Sequence, residues 1–341
     1  MFDTALFLLA DGLTNGAVYA QVALSLVLVY SVTRVVNIAQ GEYVMLGALT
    51  YADLLDGRMP ATMAIVVTGL ALWGVTSAWT ARHNRRAMMR VLGGAALACL
   101  VLAGISAGVL AAPRSAFLAM PAAILLVASL GPIVYRVTVQ PNPNASTVVL
   151  VIISVGVDMV LQGVGLLFWG SSTYSVAPLA NGGISVGPLF LAWQSIAIIA
   201  IAIVIMAALY AFFEFTLYGK ALQATAINRL GAQFCGIPVA RAGALAFFLG
   251  AAFSATSGML LAPLVTAHYD MGFVIGLKGF VGSAMGGLID YPLALAGVFA
   301  VGVLESTSAY AWSAYREVLV FALLIPILLW RSHRLKPGQE A

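Results

Sequence analysis

Charged side chains are scarce in this chain. Asp, Glu, Lys and Arg together make up 8% of its 341 residues, whereas 62% of the residues are hydrophobic. Soluble globular domains average about 25% charged residues and about half apolar ones. The shortage of charge therefore excludes an ordinary soluble domain, and the composition predicts an all-α integral membrane protein with many spans.

Cysteine is almost absent as well, since only Cys99 and Cys235 occur. Two thiols so far apart form neither a disulfide framework nor the closely spaced ligand set of a metal site. The start of the chain also lacks a basic segment and a small-residue cleavage site, so we expect it to be mature chain rather than a removable signal peptide. No feature of the sequence indicates a cofactor bound to this chain.

A phosphate-binding loop of the form G-x-x-x-x-G-K-[ST] is lacking too. The nearest approach is Gly219-Lys220, which is followed by Ala221 and has Glu214 where the first glycine would stand. Such a loop holds the phosphates of ATP in many nucleotide hydrolases. We therefore predict that this chain is not an enzyme, and that any ATP is hydrolysed by partner subunits.

Apolar runs long enough to cross a bilayer as a helix, about 20 residues, recur along the whole chain. We mark about 9–11 hydrophobic segments, with candidates at 5–30, 35–55, 61–80, 91–112, 116–135, 147–169, 189–213, 242–263, 272–289, 292–311 and 317–331. The segment 35–55 is interrupted by Asn37, Gln40 and Glu42, and the segment 272–289 carries Lys278 among glycines. We predict that these two segments are broken or re-entrant.

Lys and Arg accumulate in the cytoplasmic loops of membrane proteins, and their distribution here favours one orientation. An external N-terminus and a cytoplasmic C-terminus leave three basic residues outside: Arg58, Arg114 and Arg316. The same threading places twelve inside: Arg34, Arg82, Arg85, Arg86, Arg90, Arg136, Lys220, Arg229, Arg241, Arg331, Arg334 and Lys336. The net charge of +4 is then a signal of topology, and no nucleic-acid partner is expected.

This threading predicts one transmembrane domain, 1–341, with an external loop at 171–188 and a cytoplasmic loop at 214–241. The cytoplasmic loop holds the helix-length stretch "TLYGKALQATAINRLGAQFCGIPVAR". On a single continuous helix, one side would carry an apolar stripe of Leu222, Ala226, Ile227, Leu230 and Phe234. Gly236 suits a left-handed cap, and Pro238 prevents the helix from continuing. This pattern leaves two alternatives open: a helix that docks another protein through its small residues, and a helix that lies on the lipid headgroups.

Four stretches of the sequence, taken in their order along the chain, resemble those of a known family. They are the opening "GLTNGAVYAQVALSLVLVYSVTRVVNIAQGEYVMLGAL" (12–49), "STVVLVIISVGVDMVLQGVGLLFWG" (146–170), "GKALQATAINRLGAQFCGI" (219–237) and "GFVIGLKGFVGSAMGGLIDYPLALAGVFAVGVLES" (272–306). Together they resemble the inner-membrane permeases of branched-chain amino acid ABC importers, the LivH/LivM family, and are most similar to its LivH-like branch.

The resemblance implies a fold of the ABC importer permease type and a multi-pass location in the bacterial inner membrane. It implies as partners a second permease subunit, either LivM-like or a further copy of this chain, two ATP-binding cassette ATPase subunits and a periplasmic solute-binding protein. The cytoplasmic helix would enter a cleft of an ATPase subunit. The residues then expected to couple the two subunits are Ala224, Thr225, Asn228, Gly231 and Gly236.

The chain also departs from the pattern of these permeases. Ile38 and Gln40 stand where the family usually has Phe and His, and Asp158 replaces a small or hydroxyl residue. The solute implied by the resemblance is therefore left open among branched-chain amino acids, other amino acids, urea, short amides and aromatic acids.

Ionisable side chains inside apolar segments cost at least a few kcal/mol and usually face the interior of a bundle. We predict that the translocation path is lined by Asn37, Gln40, Glu42, Asp158 and Gln162. For Glu42 the alternative is that it caps a broken helix, and for Asp158 that it forms a buried ion pair with Lys278. For Glu305 we expect a hydrogen bond between helices.

Two other classes of function compete with the importer. Broken segments in opposite halves of the chain are typical of a secondary transporter built from inverted repeats. An intramembrane hydrolase is the less favoured alternative, with Ser257 as nucleophile and His268 as base, because that pair must lie within hydrogen-bond reach. Four glycine pairs have the small-xxx-small spacing of close helix packing: Gly12/Gly16, Gly104/Gly108, Gly272/Gly276 and Gly282/Gly286.

Overall fold

The computed structural model describes residues 2–80, 85–111, 115–142, 145–186, 189–322, 325–327 and 329. In chain order its elements are α1 (Phe2–Thr33), a 3-10 turn (Ile38–Gln40), α2 (Glu42–Leu55), α3 (Thr62–Thr80), α4 (Arg85–Ala111), α5 (Ala116–Val134), a π turn (Tyr135–Val139), α6 (Thr147–Trp169), β1 (Gly183–Val186), β2 (Leu189–Ala192), α7 (Trp193–Phe215), α8 (Leu217–Ile227), α9 (Arg229–Phe234), α10 (Val239–Leu261), α11 (Met271–Met285), α12 (Tyr291–Ala311), a 3-10 turn (Ser313–Tyr315) and α13 (Arg316–Ala322).

Some of the predictions fall outside the described residues. These concern the basic residues Arg82, Arg114, Arg331, Arg334 and Lys336. They also concern residues 187 and 188 of the loop 171–188, and residues 323, 324, 328, 330 and 331 of the segment 317–331.

Within the described part of the chain, seven helices are long and apolar enough to cross a membrane: Asp3–Thr33, Gly93–Ala111, Ala116–Val139, Thr147–Trp169, Trp193–Phe215, Val239–Leu261 and Tyr291–Ala311. Two shorter apolar helices, Thr62–Ser77 and Met271–Met285, accompany them. The prediction of an all-α membrane protein with many spans is confirmed.

Helices α1 and α10 form the centre of the bundle. In the most apolar window of each helix, 89% of α1 and 72% of α10 is buried, against 17% of α7. Helix α12 runs antiparallel to α1, with Val303 against Gly12 and Phe299 against Gly16. The outer helices expose their apolar side chains, as lipid-facing surfaces do.

Glycines produce the closest contacts between these helices. A Cβ added to Gly47 of α2 would lie 2.6 Å from Ala255 Cα of α10, so the two backbones nearly touch. Of the four predicted packing pairs, three meet neighbouring elements of the bundle: Gly12/Gly16, Gly272/Gly276 and Gly282/Gly286. The prediction is wrong for Gly104/Gly108 within this chain, because nothing lies within 4 Å of a Cβ at either position.

The two segments predicted to be broken behave differently. The segment 35–55 is broken as predicted, since residues 34–37 are non-helical and a 3-10 turn precedes α2. The segment 272–289 is not broken over Met271–Met285, where α11 is continuous. That this segment is re-entrant stays a prediction. Its glycines let other helices approach, because a Cβ on Gly279 would lie 2.8 Å from Val22 Cγ1 of α1. Tertiary packing therefore accounts for the glycine content that suggested a break.

The loop between α6 and α7 contains an antiparallel hairpin, in which Gly183 of β1 pairs with Ala192 of β2. Tyr174 of the same loop pairs with Ala267, which follows α10. At the opposite end of the bundle, Arg34 contacts the backbone of Ala226 at the end of α8. The loops after α6 and α10 thus lie at one end of the bundle, and the segments after α1 and α7 lie at the other. Successive loops of a multi-pass protein alternate between two ends in this way.

Candidate translocation and coupling sites

The break between α1 and α2 is held by hydrogen bonds from neighbouring helices. Arg34 has a left-handed backbone conformation, with φ 59°, which turns the chain out of α1. Ser154 of α6 then supplies a partner that a continuous helix would have provided, since its Oγ accepts from the Ile38 backbone N–H at 3.3 Å and lies 3.0 Å from the carbonyl oxygen of Val36. A broken backbone inside a bundle needs such substitutes, because a free polar group in an apolar interior costs several kcal/mol.

Asn37 and Gln40 belong to a chain of side-chain hydrogen bonds across this break. Asn37 Nδ2 donates to Gln40 Oε1 at 3.0 Å, and Gln40 Nε2 donates to Ser254 Oγ of α10 at 3.0 Å. Ser254 Oγ lies 3.1 Å from Ser25 Oγ of α1. Both Asn37 and Gln40 are buried, so in this conformation they connect the break to α1 and α10. Their place in the translocation path remains a prediction.

Glu42 and Asp158 are buried carboxylates of a different kind. Glu42 is the first residue of α2 and is fully buried, while Asp158 of α6 is 5% exposed. Among the described residues, neither oxygen of Glu42 has a hydrogen-bond partner, and Asp158 Oδ1 has none. Gln162, one turn beyond Asp158, is half-buried. The capping alternative for Glu42 is not supported, because its side chain makes no cap hydrogen bond.

Lys278 pairs with Glu305, and the predicted pair with Asp158 is wrong. Lys278 Nζ lies 2.6 Å from Glu305 Oε1, and both side chains are buried. Tyr19 OH donates to Glu305 Oε2 at 2.6 Å, which confirms the predicted hydrogen bond between helices at Glu305. Lys278 approaches from α11, whereas Asp158 lies on α6. The sequence pattern identified both groups as buried but contained no information about which helices are neighbours.

The predicted cytoplasmic helix is two helices, α8 and α9. The chain is extended at Asn228, with φ −146° and ψ 104°, and Asn228 Oδ1 accepts from the Gly231 backbone N–H at 2.9 Å, which caps α9. Asn is among the residues preferred at such a cap. The predicted end of the segment is confirmed, because Gly236 is left-handed with φ 79°. The break at Asn228 was not predicted.

This break changes which residues face outward. The buried residues of α8 and α9 are Gly219, Leu222, Thr225 and Ala232. Ile227, Leu230 and Phe234 are 85%, 67% and 91% exposed, and we call these three the outer apolar face. The predicted stripe is therefore wrong at Ile227, Leu230 and Phe234. Ile227 lies about 140° around α8 from Leu222, at about 100° per residue. Leu230 and Phe234 follow the break, where a new helix begins.

The predicted coupling residues are divided between inside and outside. Asn228 and Gly236 are exposed, and Ala224 and Gly231 are half-buried. Thr225 is buried, and its hydroxyl donates to the carbonyl oxygen of Ala221 at 2.8 Å. Thr225 is therefore covered by the chain itself in this conformation, and the coupling role of all five residues stays a prediction.

Helix α8 is attached to the end of α1. Leu222 packs in a cluster with Leu24, Leu28 and Val32 of α1. Arg34 Nη2 donates to the carbonyl oxygen of Ala226 at 3.2 Å. Beside these contacts, α8 borders a largely apolar cavity of about 760 Å³ between α1, α7 and α12. Sequence reasoning missed this role of Arg34, for which the only local signal was a basic residue directly before the break.

Ser257 and His268 do not form a hydrolase site. Ser257 is buried in α10, and its hydroxyl donates to the carbonyl oxygen of Val18 at 3.0 Å. His268 lies in the loop after α10, with Nδ1 2.8 Å from the carbonyl oxygen of Thr266 and Nε2 3.4 Å from Asp270 Oδ1. A serine nucleophile needs its base as a neighbour, and here the two side chains have separate partners.

Buried ionisable side chains beside a broken helix, in a bundle of apolar helices, are typical of membrane transport proteins. Comparison with family models gives a match over residues 8–328 to the family described as branched-chain amino acid transport system, permease component. The chain belongs to this family, which confirms the resemblance found in the sequence. It is therefore a multi-pass inner-membrane transport subunit and not an enzyme.

Curated relatives agree with the family. The chain is 28% identical over 326 residues to the high-affinity branched-chain amino acid transport system permease protein LivH of Salmonella typhimurium, covering 94% of this chain and 91% of the relative. It has the same identity and coverage to LivH of Escherichia coli. The permease protein BraD of Pseudomonas aeruginosa is 25% identical over 330 residues, covering 95% and 92% of the two chains. No solved structure gives a significant match.

Proposed function

We propose that this chain is the translocation subunit of an ABC importer for branched-chain or related amino acids, and that separate ATPase subunits drive it through α8 and α9. The substrate class is taken from the relatives' names, because these relatives are named as permease proteins of branched-chain amino acid transport systems. The observation that carries the coupling role is the outer apolar face, which lies on α8, a helix packed against α1, and on α9, which directly follows α8.

The outer apolar face is suited to a protein partner. Large exposed apolar groups clustered on a loop outside the membrane spans are typical of protein interaction sites. Ile227, Leu230 and Phe234 lie at the end of the bundle that also contains Arg34. Arg229 adds a positive charge between Asn228 and Leu230, and the predicted orientation places this end in the cytoplasm. An ATPase subunit would meet these side chains first.

The remaining partners follow from the same proposal. The chain would pair with a second permease subunit, either a LivM-like chain or another copy of itself, and would receive solute from a periplasmic binding protein at the end that carries the hairpin β1–β2. ATP would be bound and hydrolysed by the ATPase subunits, since the sequence of this chain has no phosphate-binding loop. In this arrangement the loop 171–188 is external and the loop 214–241 is the cytoplasmic coupling loop.

The structure gives less support to a secondary transporter than the sequence does. Its main argument was a pair of broken segments in opposite halves of the chain. Helix α2 follows a break, but α11 is continuous, so the pair is incomplete. Helices α8 and α9 also have an outer apolar face that a carrier without partners would not need.

The test of this proposal is the recovery of ATPase subunits with charged variants of the outer apolar face. Phe234→Asp should greatly reduce both the ATPase recovered with the permease from detergent and the uptake of leucine, while the permease stays folded. The matched control is Leu222→Asp on α8, which places a charge in the buried cluster against α1 and should instead lower the amount of folded permease.

Gly231→Trp is a second variant that tests docking at α9, beside the outer apolar face. A Cβ at Gly231 would already lie 3.3 Å from the Asn228 side chain, so a large ring must turn outward over α9 and obstruct docking. Normal ATPase recovery and normal uptake with both Phe234→Asp and Gly231→Trp would contradict the coupling role and favour a carrier that works alone.

A further inference from the structure

The cavity beside α8 is a cleft that opens on the side of the bundle. It is enclosed by the last turns of α1 and α7, by α8 and by the start of α12, and its volume is about 760 Å³. The rings of Phe213 and Tyr291, with centroids 6.0 Å apart, connect α7 to α12 in its wall. Most of the wall is apolar, with side chains from Leu24, Val32, Met206, Leu209, Phe213 and Leu295. Protein interiors are close-packed, so an open apolar cleft of this size is filled from its surroundings.

The surroundings of the cleft are the acyl chains of one bilayer leaflet. Leu24 and Arg34 both line it, and ten residues extend about 15 Å along a helix. This length is half of the hydrocarbon core, which is about 30 Å thick. Helix α7 has 17% of its most apolar window buried, as a lipid-facing helix does. Tyr210 and Ile289, which also line the cleft, are 70% and 49% exposed, so the cleft is open beside α7.

The polar groups of the cleft lie at the end of the bundle that is predicted to be cytoplasmic. Arg34 is exposed there, donates one hydrogen bond to the carbonyl oxygen of Ala226, and belongs to none of the ion pairs among the described residues. Glu214 is the acidic residue of this end, and Lys220 Nζ balances its charge at 3.6 Å. The hydroxyl of Tyr291, the first residue of α12, is buried and has no hydrogen-bond partner of ordinary length among the described residues.

This combination fits a phospholipid with an anionic headgroup. An acyl chain would occupy the apolar length of the cleft, where it replaces contacts that an empty space lacks. A guanidinium group binds phosphate through two parallel N–H donors, and Arg34 uses one of its five donors within the described chain. A zwitterionic lipid fills the same apolar space, but its own cation offsets the attraction between its phosphate and Arg34. Headgroup charge should therefore distinguish the two lipids.

We propose that this cleft binds one anionic phospholipid, with an acyl chain between α1, α7 and α12 and its phosphate on Arg34. The binding site does not depend on the proposed importer function. Its effect on transport rests on that function: Gln223 and Ala226 of α8 border the cleft, so a bound lipid would hold α8 in place against α1 and support coupling to the ATPase.

The test measures lipid binding to the full chain by native mass spectrometry, with phosphatidylglycerol and phosphatidylcholine of identical acyl chains as probes. The first phosphatidylglycerol should bind at least about fivefold more tightly than the first phosphatidylcholine. Leu295→Trp fills the cleft from α12 and should weaken the first binding step of both lipids at least about fivefold. The matched control is Leu293→Trp on the exposed side of the same helix, which should change neither affinity.

Variants of Arg34 test the headgroup contact. Arg34→Gln should lower the affinity for phosphatidylglycerol to that for phosphatidylcholine, and Arg34→Lys should keep most of the preference because the charge remains. Arg241→Gln, which removes an exposed basic residue outside the cleft, is the control and should keep the full preference. Thermal unfolding verifies that each variant is folded. Because Arg34 is exposed, its variants decide the question even where Leu295→Trp is unstable.

Two results would overturn the proposal. Equal affinity of the unaltered chain for the two lipids, or a preference that survives Arg34→Gln, would show that the cleft holds no specific headgroup. Displacement of bound phosphatidylglycerol by added ATPase subunits or by a second permease subunit would show that a protein covers the cleft. Recovery of ATPase with Phe234→Asp is measured separately, since Phe234 lies outside the cleft, so failure of the lipid site is distinguishable from failure of the importer function.

Discussion

Arg34, the first residue after α1, donates a hydrogen bond to the carbonyl oxygen of Ala226 near the end of α8, with 3.2 Å between the two atoms. The same residue turns the chain into the break that precedes Glu42. One side chain thus joins the segment proposed to meet the ATPase and the segment proposed to line the path. A shift of α8 would act on the start of the break through this contact.

Loss of this contact should uncouple transport without preventing assembly. Arg34→Ala is expected to reduce leucine uptake severalfold while ATPase recovery stays normal, because the outer apolar face is untouched. Arg34→Gly also removes the side chain but suits the left-handed backbone, so equal defects in the two variants would assign the effect to the side chain. Full uptake with Arg34→Gly would show that the contact is dispensable.

The ion pair between Lys278 and Glu305 should be essential for stability. Lys278→Met leaves the buried Glu305 with only the half-exposed Arg316, whose Nε lies 3.6 Å from Glu305 Oε1, and is expected to cost about 3 kcal/mol. The double variant Lys278→Met with Glu305→Gln should regain most of this loss, since no buried charge is left. Thermal unfolding in detergent measures both variants, and a double variant no more stable than Lys278→Met would contradict the explanation.

Close packing at Gly47 should tolerate no side chain. Gly47→Ala places a methyl group against Ala255 of α10 and is expected to cost about 1–3 kcal/mol. Gly104→Ala is the matched control in α4, where a Cβ meets nothing within 4 Å and alanine is the better helix former. Equal unfolding midpoints for the two variants would indicate that α2 and α10 can move apart at no cost.

The native Cys235 provides a test of orientation. Cys235 is exposed just after α9, so a membrane-impermeant maleimide should label it only after the cells are permeabilised. In a Cys235→Ser background, Asn181→Cys in the loop before β1 should be labelled on intact cells, since Asn181 is also exposed. Labelling of Cys235 on intact cells would reverse the topology and remove the basis for the importer.

ATP hydrolysis should depend on partner subunits. The purified chain alone is expected to show no turnover above the background, because its sequence lacks a loop for the phosphates. Turnover should appear when the ATPase subunits are added back. Hydrolysis that persists after every other protein has been removed would show that this chain binds ATP by an unrecognised site.

The spans were predictable because their signals are local. A helix in a bilayer must be apolar over about 20 residues, and the bounds of α6, predicted at 147–169, agree with the structure. The break at 35–41 was also signalled locally, by Asn37, Gln40 and Gly41 within an apolar run. Glycine was the ambiguous signal: in α11 it marks close packing against other helices and no break.

The sequence by itself determined the class of protein, the positions of the long apolar segments and the presence of ionisable groups within them, because hydrophobicity and charge act on each segment separately. Only the tertiary structure decided that Lys278 pairs with Glu305, and that Ile227, Leu230 and Phe234 point outward. It also decided that no described residue forms an ion pair with Glu42 or Asp158. The physical reason is that a partner or an exposed face is defined by which helices are neighbours. A single extended residue at Asn228 was enough to reset the faces of everything that follows it in the coupling segment.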